Sequence, residues 1–200
     1  MKKIVIIDYN TGNVSAIANM LFRIGERPII TNNYKEIDSS DIIILPGVGS
    51  FDRAIKKLQE NNLIEILKKK IIENTKILGI CLGMQILCNG SEEGDKEGLK
   101  VFDVVCKSFN QKNTSDIFMG WSKINVIKND KDFKFLDQSK FYFLHKFYFP
   151  SHSDYSIALS NNNFEFSSFV NKDNIYGVQF HPEKSHNFGI NFFNNFINLK

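Results

Sequence analysis

The sequence predicts an α/β fold: a doubly wound, mainly parallel sheet with helices on both faces and a packed antiparallel strand region. In the first half, short continuous apolar runs alternate with longer amphipathic segments. Continuous apolar runs are typical of parallel strands covered on both faces, and the alternation indicates strand–helix–strand units. In the second half, strand-like segments follow one another at short spacing, which favours antiparallel meanders packed onto the parallel sheet.

Four strands are predicted in the first half, at residues 3–7, 28–31, 42–45 and 76–80. A helix follows the first strand, because apolar residues recur at helical spacing before a glycine stop; these residues are Ile17, Met20, Leu21, Ile24 and Gly25. A second helix is predicted over 51–70, with a break near Asn61 and Asn62, and its buried face consists of Ile55, Leu58, Ile64 and Leu67. A third helix, over 82–87, opens directly after the fourth strand.

Six strands and one helix are predicted in the second half. The strands cover residues 101–106, 123–127, 140–149, 155–159, 165–170 and 175–180, and the helix covers 188–199. The sequence has no internal repeat and no linker rich in Pro, Gly or Ser. We therefore predict a single domain over residues 1–200.

Composition and charge argue against several classes of protein. Of the 200 residues, 42% are hydrophobic and 24% are charged, and the formal net charge is only +3. The lysines are scattered, so no nucleic-acid partner is expected. The apolar run 4–7 is too short for a signal peptide or a membrane span, which favours a cytoplasmic protein with no membrane partner.

Three cysteines, Cys81, Cys88 and Cys106, do not suggest a disulfide framework. The sequence has no Cys-x-x-Cys pair or close His/Cys cluster, so no metal site is predicted, and nothing implies a cofactor. Only Cys81 has a sequence environment that indicates chemistry.

Cys81 lies in the segment GICLG, directly after the fourth predicted strand. A nucleophile elbow needs a strand, a sharp turn that holds the nucleophile, and then a helix, with small residues two positions to either side. Gly79 and Gly83 meet that last requirement. The pattern also places Cys81 at a helix N-terminus, whose partial positive charge favours a thiolate. The alternative is a buried cysteine in a glycine-flanked turn.

A thiolate nucleophile requires a base, and the base requires an orienting partner. His181 lies in the segment QFHPE, immediately after a predicted strand, and Glu183 is near enough to hold the imidazole in one tautomer. A structural role suits the other three histidines, which are His145, His152 and His186. Cys81, His181 and Glu183 are therefore the candidate catalytic residues.

Acyl transfer also needs backbone N–H donors for the developing oxyanion. Leu82, directly after the nucleophile, is one candidate. The second is the turn of sequence PGVG at residues 46–49, whose glycines allow the backbone to aim the N–H groups of Val48 and Gly49 into the site. A simple strand-ending turn is the alternative.

Cys81 in Gly-x-Cys-x-Gly, together with His-Pro-Glu at 181–183, resembles the triad of the class I glutamine amidotransferases. The resemblance implies that Cys81 attacks the side-chain amide of glutamine, that His181 transfers protons and that Glu183 orients His181. Ammonia is then released, and a γ-glutamyl thioester remains to be hydrolysed. The two motifs together are far more specific than either alone.

Further segments resemble one branch of this family, the glutaminase subunits of imidazole glycerol phosphate synthase. These segments are DYNTGN at 8–13, PGVGSF at 46–51, SEEG at 91–94, MGW at 119–121 and KS at 184–185. The resemblance implies that Gln85 and Glu93 hold the substrate glutamine. It also implies a heterodimer in which Asn13, Trp121 and Lys184 lie near the partner.

The partner implied by this resemblance is a TIM-barrel synthase (cyclase) subunit that receives ammonia through a channel. That subunit makes imidazole glycerol phosphate and aminoimidazole carboxamide ribotide in histidine biosynthesis. The loop matching residues 47–49 is expected to reorganise when the partner binds its own substrate.

The chain departs from this branch in the loops around the expected glutamine pocket. Ile117 and Phe118 replace the usual Pro-His, and Ser122 replaces the usual Asn. Lys146 and Phe147 replace a small hydroxyl residue followed by Tyr. Lys146 must therefore either point away from the pocket or alter it.

These departures leave the client reaction open. The alternative to histidine biosynthesis is a paralogous glutaminase that supplies ammonia for amidation of bacterial surface sugars, such as acetamidino nonulosonic acids. A non-catalytic subunit of the same fold would have a broken triad. A stress-type hydrolase or peptidase with an elbow cysteine would lack His-Pro-Glu. The complete triad favours a glutaminase in either pathway.

Overall fold

The computed structural model describes residues 2–109, 117–128 and 131–199. The strands are β1 (Ile4–Ile7), β2 (Ile29–Thr31), β3 (Ile42–Leu45), β4 (Lys76–Ile80), β5 (Cys88–Ser91), β6 (Phe102–Ser108), β7 (Phe118–Lys123), β8 (Asn125–Val126), β9 (Lys140–His145), β10 (Phe147–Pro150), β11 (Ser156–Asn161), β12 (Glu165–Lys172) and β13 (Ile175–Val178). The α-helices are α1 (Val14–Arg23), α2 (Tyr34–Asp38), α3 (Phe51–Glu60), α4 (Leu63–Ile72), α5 (Leu82–Ile86) and α6 (His186–Asn198). Short 3-10 helices cover Lys131–Leu136 and Pro182–Lys184.

An 11-stranded sheet runs through these residues in the order β2-β1-β3-β4-β13-β12-β10-β6-β5, with β11 beside β12 and β8 beside β11. Neighbours from β2 to β13 pair in parallel. Strand β12 runs antiparallel to both β13 and β10. Strands β7 and β9 form a separate antiparallel ribbon. The structure confirms the predicted fold class of a mainly parallel sheet with an antiparallel region.

The inner parallel strands β1, β3, β4 and β13 are buried on both faces, as their continuous apolar sequences predict, whereas the edge strand β2 is largely exposed. In β1, Ile4 and Ile6 belong to one hydrophobic cluster, which also contains the buried faces of α1 and α6. Val5 and Ile7 belong to a second cluster, with α3 and α4. Successive side chains of a strand point to opposite faces, so helices lie on both sides of the sheet. Among the described helices the longest has 13 residues, and none has the length and apolar character needed to cross a membrane.

The first half follows the sequence prediction closely, with two omissions. The long helix breaks where predicted, since α3 ends at Glu60, α4 begins at Leu63 and Asn62 between them has a φ of +56°. The prediction omits α2, although the Asn33 side chain caps that helix. It also omits β5, whose sequence Cys-Asn-Gly-Ser has little strand propensity and whose strand geometry depends on pairing with β6.

In the second half, the prediction of one strand over 140–149 is wrong. Strand β9 ends at His145 and pairs with β7, whereas β10 begins at Phe147 and pairs with β6 and β12. The chain changes sheets at Lys146. The polar pair His145 and Lys146 interrupts the aromatic run there, but the local pattern does not show that the pairing partner changes. The MGW segment, expected in a loop, lies in β7. The strand predicted at 123–127 is reduced to the two residues of β8.

Glycines allow two backbone segments to touch beneath the site. A Cβ atom on Gly83 would lie 1.9 Å from the carbonyl oxygen of Leu45, at the end of β3. A Cβ atom on Gly47 would lie 2.7 Å from the amide nitrogen of Gly83. These contacts are with main-chain atoms, which cannot rotate away. The turn after β3 and the start of α5 therefore pack directly on each other.

We expect Gly83→Ala to lower the free energy of unfolding by about 3 kcal/mol, because the added methyl group overpacks a rigid backbone contact. Chemical denaturation measures this change. Gly90→Ala is the matched control, since a Cβ atom there would meet the Lys96 carbonyl oxygen at an ordinary 3.5 Å. Equal losses for the two variants would contradict the close-approach explanation.

Candidate active site

A cavity of about 320 Å³ lies beyond the carboxyl ends of β3, β4 and β13. This is the edge at which parallel α/β sheets usually bind ligands. The residues that line it are Val48, Gly49, Cys81, Leu82, Gln85, Glu93, Ile117, Leu144, His145, Lys146, Phe147 and His181. The cavity therefore brings together every predicted catalytic, oxyanion and substrate-binding residue except Glu183, which lies behind His181.

Cys81 occupies the sharp turn between β4 and α5. Its φ of +53° and ψ of −108° lie outside the usual regions for a side-chain-bearing residue, so the turn is strained. The backbone holds it in place, since the N–H of Cys81 donates to the carbonyl of Val178 at 2.7 Å. The residue is 5% exposed and its sulfur faces the cavity. This is the geometry that a nucleophile elbow requires.

His181 is fixed beside Cys81 by contacts on two sides. Its backbone N–H donates to the carbonyl of Tyr142 in β9 at 2.8 Å. Its Nδ1 is 2.8 Å from Oε1 of Glu183, and both side chains are buried. Because Nδ1 is engaged by the carboxylate, Nε2 is the ring nitrogen left to interact with Cys81, which lines the same cavity.

The charges around His181 favour its protonated form. Burial lowers the pKa of the imidazole, but the Cys81 sulfur raises it through charge and a hydrogen bond, and the Glu183 carboxylate raises it further. The net pKa of His181 is about 10. The protonated form of His181 is therefore favoured at neutral pH.

Gln179 is a site residue that the sequence analysis does not identify. Its Nε2 lies 3.5 Å from the Cys81 sulfur, as a hydrogen-bond donor, and its Oε1 accepts from Nε2 of Gln85 at 3.3 Å. Gln85 also donates to the carbonyl of Phe147 at 3.0 Å. Gln179 is fully buried. Its position two residues before His181 is the available sequence signal, but only strand pairing shows that it faces Cys81.

Tyr9 is a second residue that the sequence analysis does not identify. Its hydroxyl donates to the carbonyl of Pro46 at 2.6 Å, and its side chain is fully buried. Burial, and then the charge of Cys81, raise the pKa of Tyr9, so the phenol remains a donor. Tyr9 thus holds the first peptide of the turn that carries Val48 and Gly49 into the cavity wall. Both turn residues are exposed, and Gly49 has a φ of +102°.

Glu93 extends into the cavity from the segment after β5. Its Oε2 accepts a hydrogen bond from the backbone N–H of Phe51 at 2.9 Å. Asp52 secures the same segment, because its carboxylate accepts from the backbone N–H groups of Asp95 and Lys96. Burial raises the pKa of Glu93, and the charge of Asp52 also raises it. The hydrogen bond from the Phe51 N–H and the charge of Lys146 lower it.

The three residues expected at a partner interface lie outside the cavity lining. Asn13 is exposed just before α1. Trp121 is 46% exposed on β7 and stacks on His186, with ring centroids 5.6 Å apart and planes at 5°. The Nζ of Lys184 lies 5.8 Å from the ring centroid of Tyr142. Their part in an interface stays a prediction.

The departures from the family pattern divide into two groups. Ile117, Lys146 and Phe147 line the cavity. Phe118 instead stacks on a core phenylalanine, and Ser122 is half-buried on β7. Lys146 is thus part of the pocket wall.

His145 also lines the cavity, in addition to its expected structural role. Its Nδ1 donates to the carbonyl of Phe147 at 2.8 Å, and its buried Nε2 has no hydrogen-bond partner. The pKa of His145 is lowered to about 3, mainly by burial. The charge of His181 also lowers it, whereas the hydrogen bond to the Phe147 carbonyl raises it. His145 is therefore neutral. Across the described ranges, no group of three or more His, Cys, Asp or Glu side chains is arranged to hold a metal ion.

Comparison with known proteins identifies the family of this chain. The family model described as "Glutamine amidotransferase class-I" matches residues 5–199. The chain belongs to the class I glutamine amidotransferase family. The solved "PurLQS from Thermotoga maritima" superposes with a TM-score of 0.77 at 18% identity, covering 99% of each chain, which supports the amidotransferase fold.

Curated relatives extend the match over nearly the whole chain. "Imidazole glycerol phosphate synthase subunit HisH 2" of Methanococcus maripaludis is 46% identical, covering 97% of this chain and 98% of the relative. "Imidazole glycerol phosphate synthase subunit HisH" of Bdellovibrio bacteriovorus is 40% identical, covering 98% of this chain and 100% of the relative. In this amidotransferase, the family motifs and the cavity described above coincide.

We expect Gln179→Leu to slow alkylation of Cys81 by iodoacetamide at neutral pH about two- to tenfold, because a hydrogen bond worth roughly 0.5–1.5 kcal/mol is lost from the sulfur. Mass spectrometry of the labelled peptide measures the rate, and Cys88 and Cys106 are fully buried, so the label reports Cys81. Gln59→Leu, at an exposed position of α3, is the matched control. An unchanged rate in Gln179→Leu would show that the contact does not stabilise the thiolate.

Proposed function

We propose that this chain is a glutaminase subunit that hydrolyses glutamine to glutamate and ammonia. Cys81 is the nucleophile, His181 carries the proton and Glu183 orients His181. The observation that carries this proposal is the placement of Cys81 and His181 in the lining of one cavity of about 320 Å³, with Glu183 Oε1 2.8 Å from Nδ1 of His181. The cavity is large enough for one small amino acid.

In the first half of the reaction, the Cys81 sulfur attacks the side-chain carbonyl carbon of glutamine. The N–H of Leu82 and those of the turn at Val48 and Gly49 hold the oxyanion, and each such donor is typically worth about 3–4 kcal/mol. His181 gives the proton on Nε2 to the leaving nitrogen. The carbon–nitrogen bond breaks, ammonia leaves and a γ-glutamyl thioester remains.

In the second half, His181 accepts a proton from water as that water attacks the thioester carbonyl. The carbon–sulfur bond breaks, releasing glutamate and restoring the thiolate and the protonated imidazole. Glu183 keeps Nδ1 of His181 occupied throughout, so Nε2 always faces the reaction.

The substrate is held by Gln85 and Glu93. The half-buried Glu93 carboxylate, anchored by the N–H of Phe51, provides the charge for the α-ammonium group. Gln85 is fixed by Gln179 and Phe147, so it offers a rigid wall beside the sulfur. Both residues line the cavity with Cys81.

The ammonia acceptor is a TIM-barrel synthase subunit, in a cytoplasmic heterodimer that makes imidazole glycerol phosphate and aminoimidazole carboxamide ribotide for histidine biosynthesis. The names of the relatives in Methanococcus and Bdellovibrio support this assignment. Asn13, Trp121 and Lys184 would face the partner, since all three are accessible. Ammonia would then pass from the cavity to the partner without release to solvent.

A second candidate is a paralogous glutaminase that serves a surface-sugar amidation step. The observation that favours it is the position of Ile117, Lys146 and Phe147, which depart from the usual pattern and line the cavity. Relatives in Methanococcus maripaludis and Pseudomonas aeruginosa also carry the name "HisH 2", which numbers them within their organisms. A non-catalytic role is disfavoured, because the triad geometry is complete.

We expect weak glutaminase activity from the isolated chain and strong stimulation by the correct partner with its ligand bound. Glutamate release is measured with the histidine-pathway barrel subunit plus its nucleotide, and separately with a barrel paralogue. Stimulation by the first assigns the chain to histidine biosynthesis, and stimulation only by the second assigns it to the amidation pathway. High activity without any partner would contradict the expected dependence.

We expect Cys81→Ala to abolish glutamine-dependent synthesis by the complex while leaving synthesis from added ammonium within about twofold of wild type, because only the glutaminase step needs the sulfur. Product formation is followed with each nitrogen source. Cys88→Ala is the control for loss of a buried thiol outside the cavity. Loss of both activities in Cys81→Ala would mean that Cys81 has a structural role.

A further inference from the structure

Lys146 brings a positive charge to the cavity wall at a fixed point of the fold. It lies where the chain leaves β9 and enters β10, and both of its sequence neighbours line the same cavity. The hydrogen bond from His145 to Phe147 closes the turn around it. The backbone N–H of Phe109 donates to the Lys146 carbonyl at 3.2 Å. These hydrogen bonds hold the main chain in place at Lys146, where the chain passes from one sheet to the other.

Glu93 brings a negative charge to the same cavity. Apart from His181, Lys146 and Glu93 are the charged side chains among the described lining residues. Both residues line the cavity, and the charge of Lys146 lowers the pKa of Glu93 against the larger effect of burial. Besides His181, the cavity lining thus contains one cationic and one anionic residue.

We propose that Lys146 binds the α-carboxylate of the substrate while Glu93 binds its α-ammonium group, so that the cavity selects a free α-amino acid. This inference rests on the proposed glutaminase function. A zwitterionic amino acid has an ammonium group and a carboxylate group attached to one carbon, so it can contact a cation and an anion that face the same cavity. Its side-chain amide then extends to the Cys81 sulfur.

The exposure of Lys146 makes this pairing inexpensive. Lys146 is an exposed residue, so contact of its side chain with a carboxylate requires little desolvation. Glutamine within a peptide, or with an amidated α-carboxyl group, lacks the negative charge and would leave Lys146 without that contact. Lys146 is therefore a specificity-determining residue that acts on the part of the substrate that does not react.

The test compares L-glutamine with L-glutaminamide, whose α-carboxyl group is a neutral amide. We expect Lys146→Ser and Lys146→Met to raise the KM for glutamine about tenfold with kcat changed less than about threefold, which corresponds to one charge-assisted hydrogen bond. Neither variant should change kcat/KM for glutaminamide by more than about twofold. Lys140→Ser, at an exposed position of β9 outside the cavity lining, is the matched control and should match wild type.

A second measurement needs no partner subunit. Each ligand is tested for protection of Cys81 against iodoacetamide in the isolated chain. Glutamine should protect wild type at about tenfold lower concentration than it protects Lys146→Met, whereas protection by glutaminamide should be equal in the two proteins.

Two results would overturn the inference: an equal loss for both ligands, or tighter glutamine binding after Lys146 is replaced. The second would mean that Lys146 competes with the substrate for Glu93. If the proposed function itself is wrong, the results differ from both of these. Wild type would then release no glutamate from glutamine in a stimulated complex, and glutamine would not protect its Cys81 against iodoacetamide.

Discussion

The parallel pairing of β4 with β13 is the constraint on which the site depends. Ile80 lies opposite Val178 in the register, and the N–H of Cys81 continues the ladder to the Val178 carbonyl at 2.7 Å. The nucleophile and the segment that carries His181 therefore leave adjacent strands at the same edge. This pairing brings together residues that are 100 positions apart in sequence, and it places Gln179 against the sulfur.

Backbone contact beneath the nucleophile links it to the opposite wall. Gly47 and Gly83 allow the turn after β3 to pack on the start of α5. The hydroxyl of Tyr9, which lies just after β1, donates to the Pro46 carbonyl and so holds the same turn. Three neighbouring strands thus fix the distance between the sulfur and the proposed oxyanion donors. Preorganised donors of this kind are effective because they need no rearrangement when charge develops.

The electrostatic arrangement separates two tasks within one cavity. Buried Glu183 and the Cys81 sulfur keep His181 protonated, while burial keeps His145 neutral. Lys146 and Glu93 lie at the more accessible part of the wall. In the proposed mechanism, proton transfer is confined to the protected part of the site, and the charged groups of the substrate bind at its rim, where desolvation costs little.

Local sequence determined the order of most strands and helices, the elbow at Cys81 and the pairing of His181 with Glu183, because these depend on periodicity and short-range spacing. It did not determine that the run 140–149 divides at Lys146, that the MGW segment is a strand, or that Gln179 and Tyr9 support the site. Those features depend on which strands pair and in what register. Such long-range contacts leave no local pattern, so only the tertiary structure decides them.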